Sequence, residues 1–322
     1  MSAAATSTEG SVLRNINFKN YGIIYVTVIL FIVLSLTTDG FLSTANLRNV
    51  LDQQSLILIA GSAMTLTLIG GNFDISVSAV FINASITAGL LHNATDSALI
   101  AIGGAIVVGA LFGLVNGIVV ARVKVNSFIG TLATSFVFFG IGFVLSDRSI
   151  VRVENRDFLD VARGRDFGLT NATWIALFVV AFFWFLLERT SYGRKVFATG
   201  GNPEAARLAG VRVEAITTST FVMTGAAAGL AGALLVSRTT SAQASDDFSF
   251  VFAVLTAVII GGTSIAGGEG AVWRTLLGAL FIAILTNAFN LLQIDPVIQR
   301  LVQGAVILGA VAADNWTRSR RS

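Results

Sequence analysis

Long uncharged stretches alternate with short charged segments along most of this chain. Nine of these stretches run over residues 20–38, 53–73, 75–95, 97–121, 125–146, 167–187, 215–237, 248–268 and 275–294. Each has about the 20 residues that an α-helix needs to cross a bilayer. A tenth stretch, 301–313, is long enough only if its helix begins near Pro296. The pattern predicts an all-α polytopic membrane protein with about ten transmembrane helices and a range of eight to ten.

Composition supports a location in lipid. Charged residues make up 12% of the 322-residue chain, and the mean hydropathy is +0.80, whereas soluble proteins carry about 25% charged residues. We therefore expect a single transmembrane domain over residues 20–314. The net charge is only +3, and the basic residues lie between apolar stretches rather than in one stripe, so we expect no nucleic-acid partner.

The distribution of Lys and Arg predicts the orientation. Ten spans would place both termini on one side of the membrane, and the segments on that side carry more basic residues than those on the other. Basic residues accumulate on the cytoplasmic side, so both termini are predicted to be cytosolic in a bacterial cytoplasmic membrane. Residues 1–19 then form a flexible cytosolic tail and residues 315–322 a basic one. A cleaved signal peptide is the alternative for the N-terminus, but the first stretch is too long for a signal core.

The sequence offers little for catalysis or metal binding. It contains no Cys and one His, His92, which we expect near a membrane interface. One imidazole without a thiolate does not make the usual zinc site, so we predict neither a metal site nor an enzyme. The three lysines, Lys19, Lys124 and Lys195, do not follow a Gly, so a Walker A nucleotide loop is absent.

A short polar segment, 200–212, separates the sixth and seventh stretches. Asn202 suits an N-cap, Pro203 the first helical position, and Gly210 the left-handed position after a helix. Glu204 and Arg207 complement the helix dipole at the two ends. The segment is either an ordinary connector or a rigid helix through which a separate motor moves the membrane domain. The second interpretation assigns coupling to Asn202, Pro203, Glu204, Ala205, Ala206, Arg207, Leu208 and Gly210.

Two glycine-rich joints are predicted to break regular helix, at residues 70–76 and 261–270. The glycines that we expect to form the breaks are Gly70, Gly71, Gly261, Gly262, Gly267 and Gly268. Irregular backbone at membrane depth is tolerated where protein or a water-filled cavity satisfies it, and it often lies beside a transport path. Asp74, in the first joint, either caps the third helix or faces such a path.

Polar side chains inside the apolar stretches have two interpretations. They either tie helices together or line a path for a neutral, hydroxyl-rich solute. The candidate path residues are Asn72, Phe73, Asp74, Asn83, Asn116, Asn287 and Asn290. Glycines spaced by four, at 109, 113 and 117 and at 225 and 229, predict close helix contacts, either within the bundle or at a dimer interface.

Four stretches, taken in order, resemble one known family. They are Gly-Gly-Asn-Phe-Asp-Ile-Ser-Val-Ser at 70–78, Asn116-Gly117 with 128–134, the segment 201–210, and Gly-Gly-Thr-Ser-Ile-Ala-Gly-Gly at 261–268. Together they resemble the membrane-spanning permeases of ribose-type ATP-binding cassette (ABC) sugar importers, over residues 45–314. The chain departs from the family pattern where Asn72-Phe73 replaces a single position and where Ser78 replaces a Gly.

The resemblance implies partners and a mechanism. Such permeases pair with a second permease, identical or related, and accept an extracytoplasmic solute-binding protein outside. They bind ABC ATPase subunits through a coupling helix, here Asn202 to Gly210, and ATP and Mg belong to that partner. The solute would be a monosaccharide, with a polyol, a signalling sugar or a branched-chain amino acid as alternatives and an ion-coupled secondary transporter as a further one. Charge balance in the 147–166 loop suggests a docking surface at Arg148, Arg152, Glu154, Arg156 and Asp157.

Overall fold

The computed structural model describes residues 18–309 except 154, 156, 296, 300, 303 and 307, and this part of the chain is predominantly helical. The all-α prediction is confirmed. Both predicted tails lie outside the described residues apart from residues 18 and 19. The helices are α1 Phe18–Thr37, α2 Thr44–Ile69, α3 Val77–Thr95, α4 Ala98–Ala121, α5 Ser127–Leu145, α6 Asp157–Arg163, α7 Asn171–Arg189, α8 Ser191–Gly201, α9 Pro203–Leu208, α10 Val213–Thr239, α11 Ser249–Ile260 and α12 Val272–Leu291.

Four two-residue strands complete the described elements. They are β1 Val151–Arg152, β2 Arg165–Asp166, β3 Leu169–Thr170 and β4 Ser241–Ala242. β1 pairs antiparallel with β4, and β2 pairs antiparallel with β3 in a tight hairpin. Both pairs join segments of the loops between the long helices.

In the described part of the chain, fewer helices than the expected ten are long and apolar enough to span a membrane. Within the described residues, α3, α4, α5, α7, α10 and α12 are long and apolar enough to cross a bilayer, and two apolar helical segments, Ile23–Thr37 and α11, are shorter. The count of ten is therefore not confirmed. Helical backbone recurs at residues 297–299, 301–302, 304–306 and 308–309, while residues 310–313 of the tenth predicted stretch lie outside the described part.

The helix in the stretch 248–268 ends at the predicted joint 261–270. α11 stops at Ile260, so residues 261–268 of the stretch belong to the break. Gly261 caps it, and Gly262 has a φ of +86°, a left-handed conformation that stops the helix. The helix break therefore begins at the first glycine of the joint.

The helix α10 defines two opposite ends of the bundle. Its 27 residues span about 40 Å. Its first residues follow α9, whereas Ser237, near its last turn, accepts a hydrogen bond from the backbone N–H of Ala162 in α6 (3.1 Å). We call these the α9 end and the α6 end. His92, expected at an interface, is buried near the α6 end and stacks on Phe158 of α6.

The helices α4 and α10 pack closely along their length, and glycine makes this contact possible. A methyl group at Gly109 would overlap the carbonyl oxygen of Gly225, and one at Gly225 would overlap that of Gly109. Gly113 meets the backbone of Phe221 in the same way, and Gly229 that of Ala105. The four-residue glycine spacing therefore serves packing within the bundle, where close backbone approach increases dispersion contacts.

Buried hydroxyl groups connect α2 to its neighbours. The hydroxyls of Thr65 and Thr275 lie 2.7 Å apart, joining α2 to α12, and those of Thr67 and Thr224 lie 2.8 Å apart, joining α2 to α10. All four side chains are buried. Because a buried hydroxyl without a partner is costly, these pairs fix the relative positions of three helices.

The α4–α10 contact predicts a difference between two glycines of the same helix. We expect Gly109→Ala to destabilise the protein by roughly 1–3 kcal/mol, since overpacking forces the backbones apart. Gly103→Ala is the matched control, because nothing lies within 4 Å of its added methyl group and Ala favours helix. The measurement is thermal unfolding of the purified variants. Equal midpoints for the two variants would contradict this packing.

Candidate functional site

The helix α9 lies at the surface of the bundle, and its local geometry matches the expected caps. The side chain of Asn202 accepts a hydrogen bond from the backbone N–H of Ala205 (3.0 Å), Pro203 is the first helical residue, and Gly210 has a φ of +83°. The structure describes all six residues of this helix. Ala206 is the one buried side chain among them, and Leu208 is 91% exposed. The helix thus presents most of its surface outward, including a large apolar side chain.

An ion pair joins α9 to the start of α10. The guanidinium Nη2 of Arg207 lies 2.8 Å from Oε1 of Glu214, and both side chains are about half exposed. An exposed pair of this kind contributes little to stability, about 0–1 kcal/mol. Its geometry nevertheless links the last turn of α9 to the first turn of α10 across the 209–212 turn.

Both predicted helix breaks meet the end of α8, directly before α9. The backbone N–H of Gly268 donates a hydrogen bond to the carbonyl of Ile69, the last residue of α2 (2.8 Å). A methyl group at Gly200 would overlap that same carbonyl, and one at Gly267 would lie 2.8 Å from the Cα of Gly71. We call this contact the glycine junction; its members are Gly71, Gly200, Gly201, Gly267 and Gly268.

Positive φ angles explain why glycine is needed at the junction. Gly71, Gly267 and Gly268 have φ values of +80°, +84° and +73°, a region that other residues adopt only with strain. The remaining break residues lie beside it: Gly70 caps α2, and Gly261 packs against the backbone of Arg274. Three chain segments therefore touch through their backbones, with no side chains between them.

A cavity of about 570 Å³ opens beside the glycine junction. Asn72, from the first joint, lines it together with Glu204 and Arg207 of α9. Lys124, in the α4–α5 turn, and Glu214, at the start of α10, complete its charged lining among the described residues. One predicted path residue thus shares a cavity with the predicted coupling residues, at the α9 end of the bundle.

Asp74 and Asn116 belong to one buried network in the bundle interior. The Oδ1 atom of Asp74 accepts hydrogen bonds from the backbone N–H (3.0 Å) and hydroxyl (2.6 Å) of Ser76. The amide of Asn116 donates to that hydroxyl and accepts from the hydroxyl of Thr134, both at 2.6 Å. Asp74 therefore holds the turn that begins α3. Phe73 precedes it, half-buried, and its backbone N–H donates to the hydroxyl of Ser127.

Two of the three remaining path candidates, Asn83 and Asn287, make contacts between helices. The amide of Asn83 donates to the carbonyls of Ala79 and Phe138, each at 2.8 Å, which ties α3 to α5. Asn287 exchanges two amide hydrogen bonds with Asn46, at 2.7 and 2.9 Å, which ties α12 to α2. Asn290 is exposed. The structure thus separates the seven path candidates into Asn72 at the cavity beside α9, the exposed Asn290, and residues at the first joint or within helix contacts.

Sequence reasoning missed the partner of Asn287. Asn46 lies at the charged start of α2, outside the uncharged stretch, so its sequence context gives no sign of an interior role. The pair is 241 residues apart in the chain. Only the fold brings the two amides together.

The chain matches a family described as the permease component of branched-chain amino acid transport systems, over residues 46–311. It is 34% identical to the L-arabinose transport system permease protein AraH of Escherichia coli strain K12, over 100% of this chain and 99% of that protein. It is 34% identical to the ribose import permease protein RbsC of Haemophilus influenzae, over 91% of this chain and 92% of that protein.

A further relative is the D-allose transport system permease protein AlsC of Escherichia coli strain K12. It is 31% identical over 95% of this chain and 96% of its own length. No solved structure matches the chain. The three relatives align over nearly the whole chain, so the similarity includes both joints and the α8–α9 segment.

The amide pair predicts a specific pattern of stability. We expect Asn287→Leu and Asn46→Leu each to destabilise the protein by roughly 1–3 kcal/mol, because each leaves a poorly solvated amide without its partner. The double variant should lose less than the sum of the single variants. Thermal unfolding of the four proteins measures this coupling, and Asn290→Leu, at an exposed position one turn away, is the control. Additive losses would indicate that the two amides act independently.

Proposed function

Because this chain belongs to the family of branched-chain amino acid transport system permease components, we propose that it is the membrane-spanning permease subunit of an ABC importer for a monosaccharide. The observation that carries the sugar assignment is the full-length similarity to permeases named for arabinose, ribose and allose. The family description mentions branched-chain amino acids, so these, polyols and signalling sugars are the alternative solutes.

The energy for transport comes from a partner chain. The sequence has no Walker A loop, so an ABC ATPase subunit would bind ATP and Mg and hydrolyse the nucleotide. The exposed helix α9 is the surface that best suits this partner, since it is rigidly capped and carries the exposed Leu208. We assign coupling to Asn202 through Gly210 on this basis.

The route of coupling follows from backbone contacts. A displacement of α9 reaches α10 through the pair Arg207–Glu214. It reaches the end of α2 and the joint that follows α11 through Gly200, which touches the backbone of Ile69 and Gly268. Since close-packed elements rearrange as units, movement of α9 shifts both joints together. In this mechanism, alternating access results when the two joints open or close the α9 end of the path.

The remaining partners follow from the two ends of the bundle. A second permease, identical or related, would complete the transport path, and an extracytoplasmic solute-binding protein would dock at the α6 end, where Arg148, Arg152 and Asp157 lie. Residues 154 and 156 of that proposed surface are outside the described part of the chain. We place the protein in the bacterial cytoplasmic membrane, with the α9 end and both termini in the cytosol.

Reconstituted transport tests the proposed function. We expect proteoliposomes that contain the permease, its ATPase and its binding protein to take up at least one of D-ribose, L-arabinose and D-allose when ATP is inside. Omitting the ATPase is the control and should abolish uptake. Uptake driven by an ion gradient without the ATPase would identify a secondary transporter. Uptake of leucine but no sugar would favour the amino acid alternative.

The ion pair between α9 and α10 makes a second prediction. We expect Arg207→Glu to reduce the stimulation of ATPase activity by loaded binding protein several-fold, because two adjacent carboxylates repel and separate the helices. The double variant Arg207→Glu/Glu214→Arg should recover much of the stimulation. The measurement is ATP hydrolysis by the reconstituted complex. Failure of the reversed pair to improve on the single variant would assign Arg207 a direct contact with the ATPase instead.

A further inference from the structure

A second cavity, of about 610 Å³, lies between α2, α11 and α12. Gln54 lines this cavity. It follows Asp52 by two residues in α2, so the contacts of Asp52 show where in the bundle the cavity lies. Asp52 accepts a hydrogen bond from the hydroxyl of Thr170 (2.7 Å) and lies 3.8 Å from the guanidinium of Arg238, at the C-terminal end of α10. The cavity is therefore near the α6 end, opposite the glycine junction. Its volume falls within the range of about 300–1,000 Å³ that small-molecule sites occupy.

Gln54 is the unusual side chain of this cavity. It is only 6% exposed, and its Oε1 atom accepts no hydrogen bond from the residues that the structure describes. A buried amide oxygen without a donor is costly. In contrast, the neighbouring Gln53 is exposed. A ligand that donates a hydrogen bond would remove the cost at Gln54.

The helix α11 gives a second and independent indication of a ligand. Its 12 residues span about 18 Å, well short of the roughly 30 Å of a bilayer core. Its N-terminal residues Ser249 and Phe252 line the cavity. Short, interrupted helices that end inside the membrane domain are a recurrent feature of solute sites in transporters.

The lining of the cavity selects against charged ligands. Asp247 is its one charged residue among those described. The carboxylate of Asp247 is already engaged, since it accepts hydrogen bonds from the backbone N–H (2.8 Å) and hydroxyl (2.6 Å) of Ser249. The rest of the lining contains polar, aromatic and aliphatic side chains. They include Gln54, the hydroxyl residues Thr256 and Thr286, the aromatic rings of Phe248 and Phe252, and the aliphatic residues Ile57, Ala253, Ile282, Leu285 and Val306. Amide and hydroxyl groups beside aromatic rings match a molecule with both hydroxyl groups and apolar C–H faces.

Resting on the proposed function, we propose that this cavity binds the monosaccharide in transit and that Gln54 accepts a hydrogen bond from a sugar hydroxyl. The ring of Phe252, which is 55% exposed, contacts the apolar face of the sugar. An acyl chain could fill the same space, but it has no donor for the amide oxygen of Gln54. The site lies at the end where solute enters, so it is the first binding site that the sugar reaches inside the permease.

The first test compares the same substitution at two adjacent positions in the complete transporter. With whichever of D-ribose, L-arabinose and D-allose the wild-type complex transports, we expect Gln54→Leu to lower the uptake rate about tenfold, as loss of a buried hydrogen bond implies. Gln53→Leu should leave uptake within twofold of wild type. The stimulation of ATPase activity by loaded binding protein should persist in both variants, because neither position touches the glycine junction.

The outcomes separate this proposal from the proposed function. Wild-type transport with equal uptake by Gln54→Leu and Gln53→Leu would overturn the cavity assignment and leave the transport function intact. A wild-type complex that transports none of the three sugars would contradict the proposed sugar function itself.

A second test does not depend on the stability of the Gln54 variant. The chain has no cysteine, so Ala253→Cys introduces a single thiol at the cavity wall. During turnover, the transported sugar should slow modification of this thiol by a methanethiosulfonate reagent at least threefold, as measured by mass spectrometry of this chain. Phe167→Cys, at a 98% exposed position of the β2–β3 hairpin, is the control for shielding by the docked binding protein, and sugar should slow its modification less than that of Ala253→Cys. Equal rates with and without sugar at Ala253→Cys would overturn the proposal.

Discussion

Backbones touch one another directly at several places in the described part of this bundle, and two of these contacts, both of which require residues that lack a side chain, organise the rest. One is the face of α4 against α10, where Gly109 and Gly225 each contact the other's carbonyl. The other is the glycine junction, where Gly200 meets the carbonyl of Ile69. In lipid, where burial of apolar surface gives no advantage between helices, such close approach supplies the packing energy. The first contact holds two long helices together, and the second joins the ends of α2 and α8 to the joint that follows α11.

Polar groups in the interior have a complementary role. Most of those that looked like a solute path in the sequence satisfy one another across helix contacts, as Asn46 and Asn287 do. The network of Asp74, Ser76, Asn116 and Thr134 does the same around the first joint. Several buried polar atoms have no partner within the described part of the chain, among them Asp74 Oδ2, Asn83 Oδ1 and Gln54 Oε1. Of these three residues, Gln54 lines the cavity between α2, α11 and α12. The cavity beside Gln54 is what makes its unpaired amide oxygen a candidate ligand contact.

The parts of this structure that could be predicted are those set by neighbouring residues. The caps of α9 depend on Asn202, Pro203 and Gly210, which act within a few residues of each other, and all three behave as expected. The membrane class and the helix breaks followed from local composition for the same reason. The roles of Asn287 and Gln54 did not, because they depend on residues far away in the chain. The end of α11 at Ile260 is also a local effect, since it falls directly before the predicted joint that begins at Gly261.

The length of α10 has a mechanical consequence. The helix α10 is about 40 Å long and packs against α4 along its middle. It can therefore pivot as a rigid rod about a point inside the bilayer. A tilt of about 5° around that point moves each tip by nearly 2 Å in opposite directions, given the helix rise per residue. Glu214 lies at one end of α10 and Arg238 at the other. A displacement of the helix at one face of the membrane therefore moves its other end at the opposite face, without any change in the helix itself.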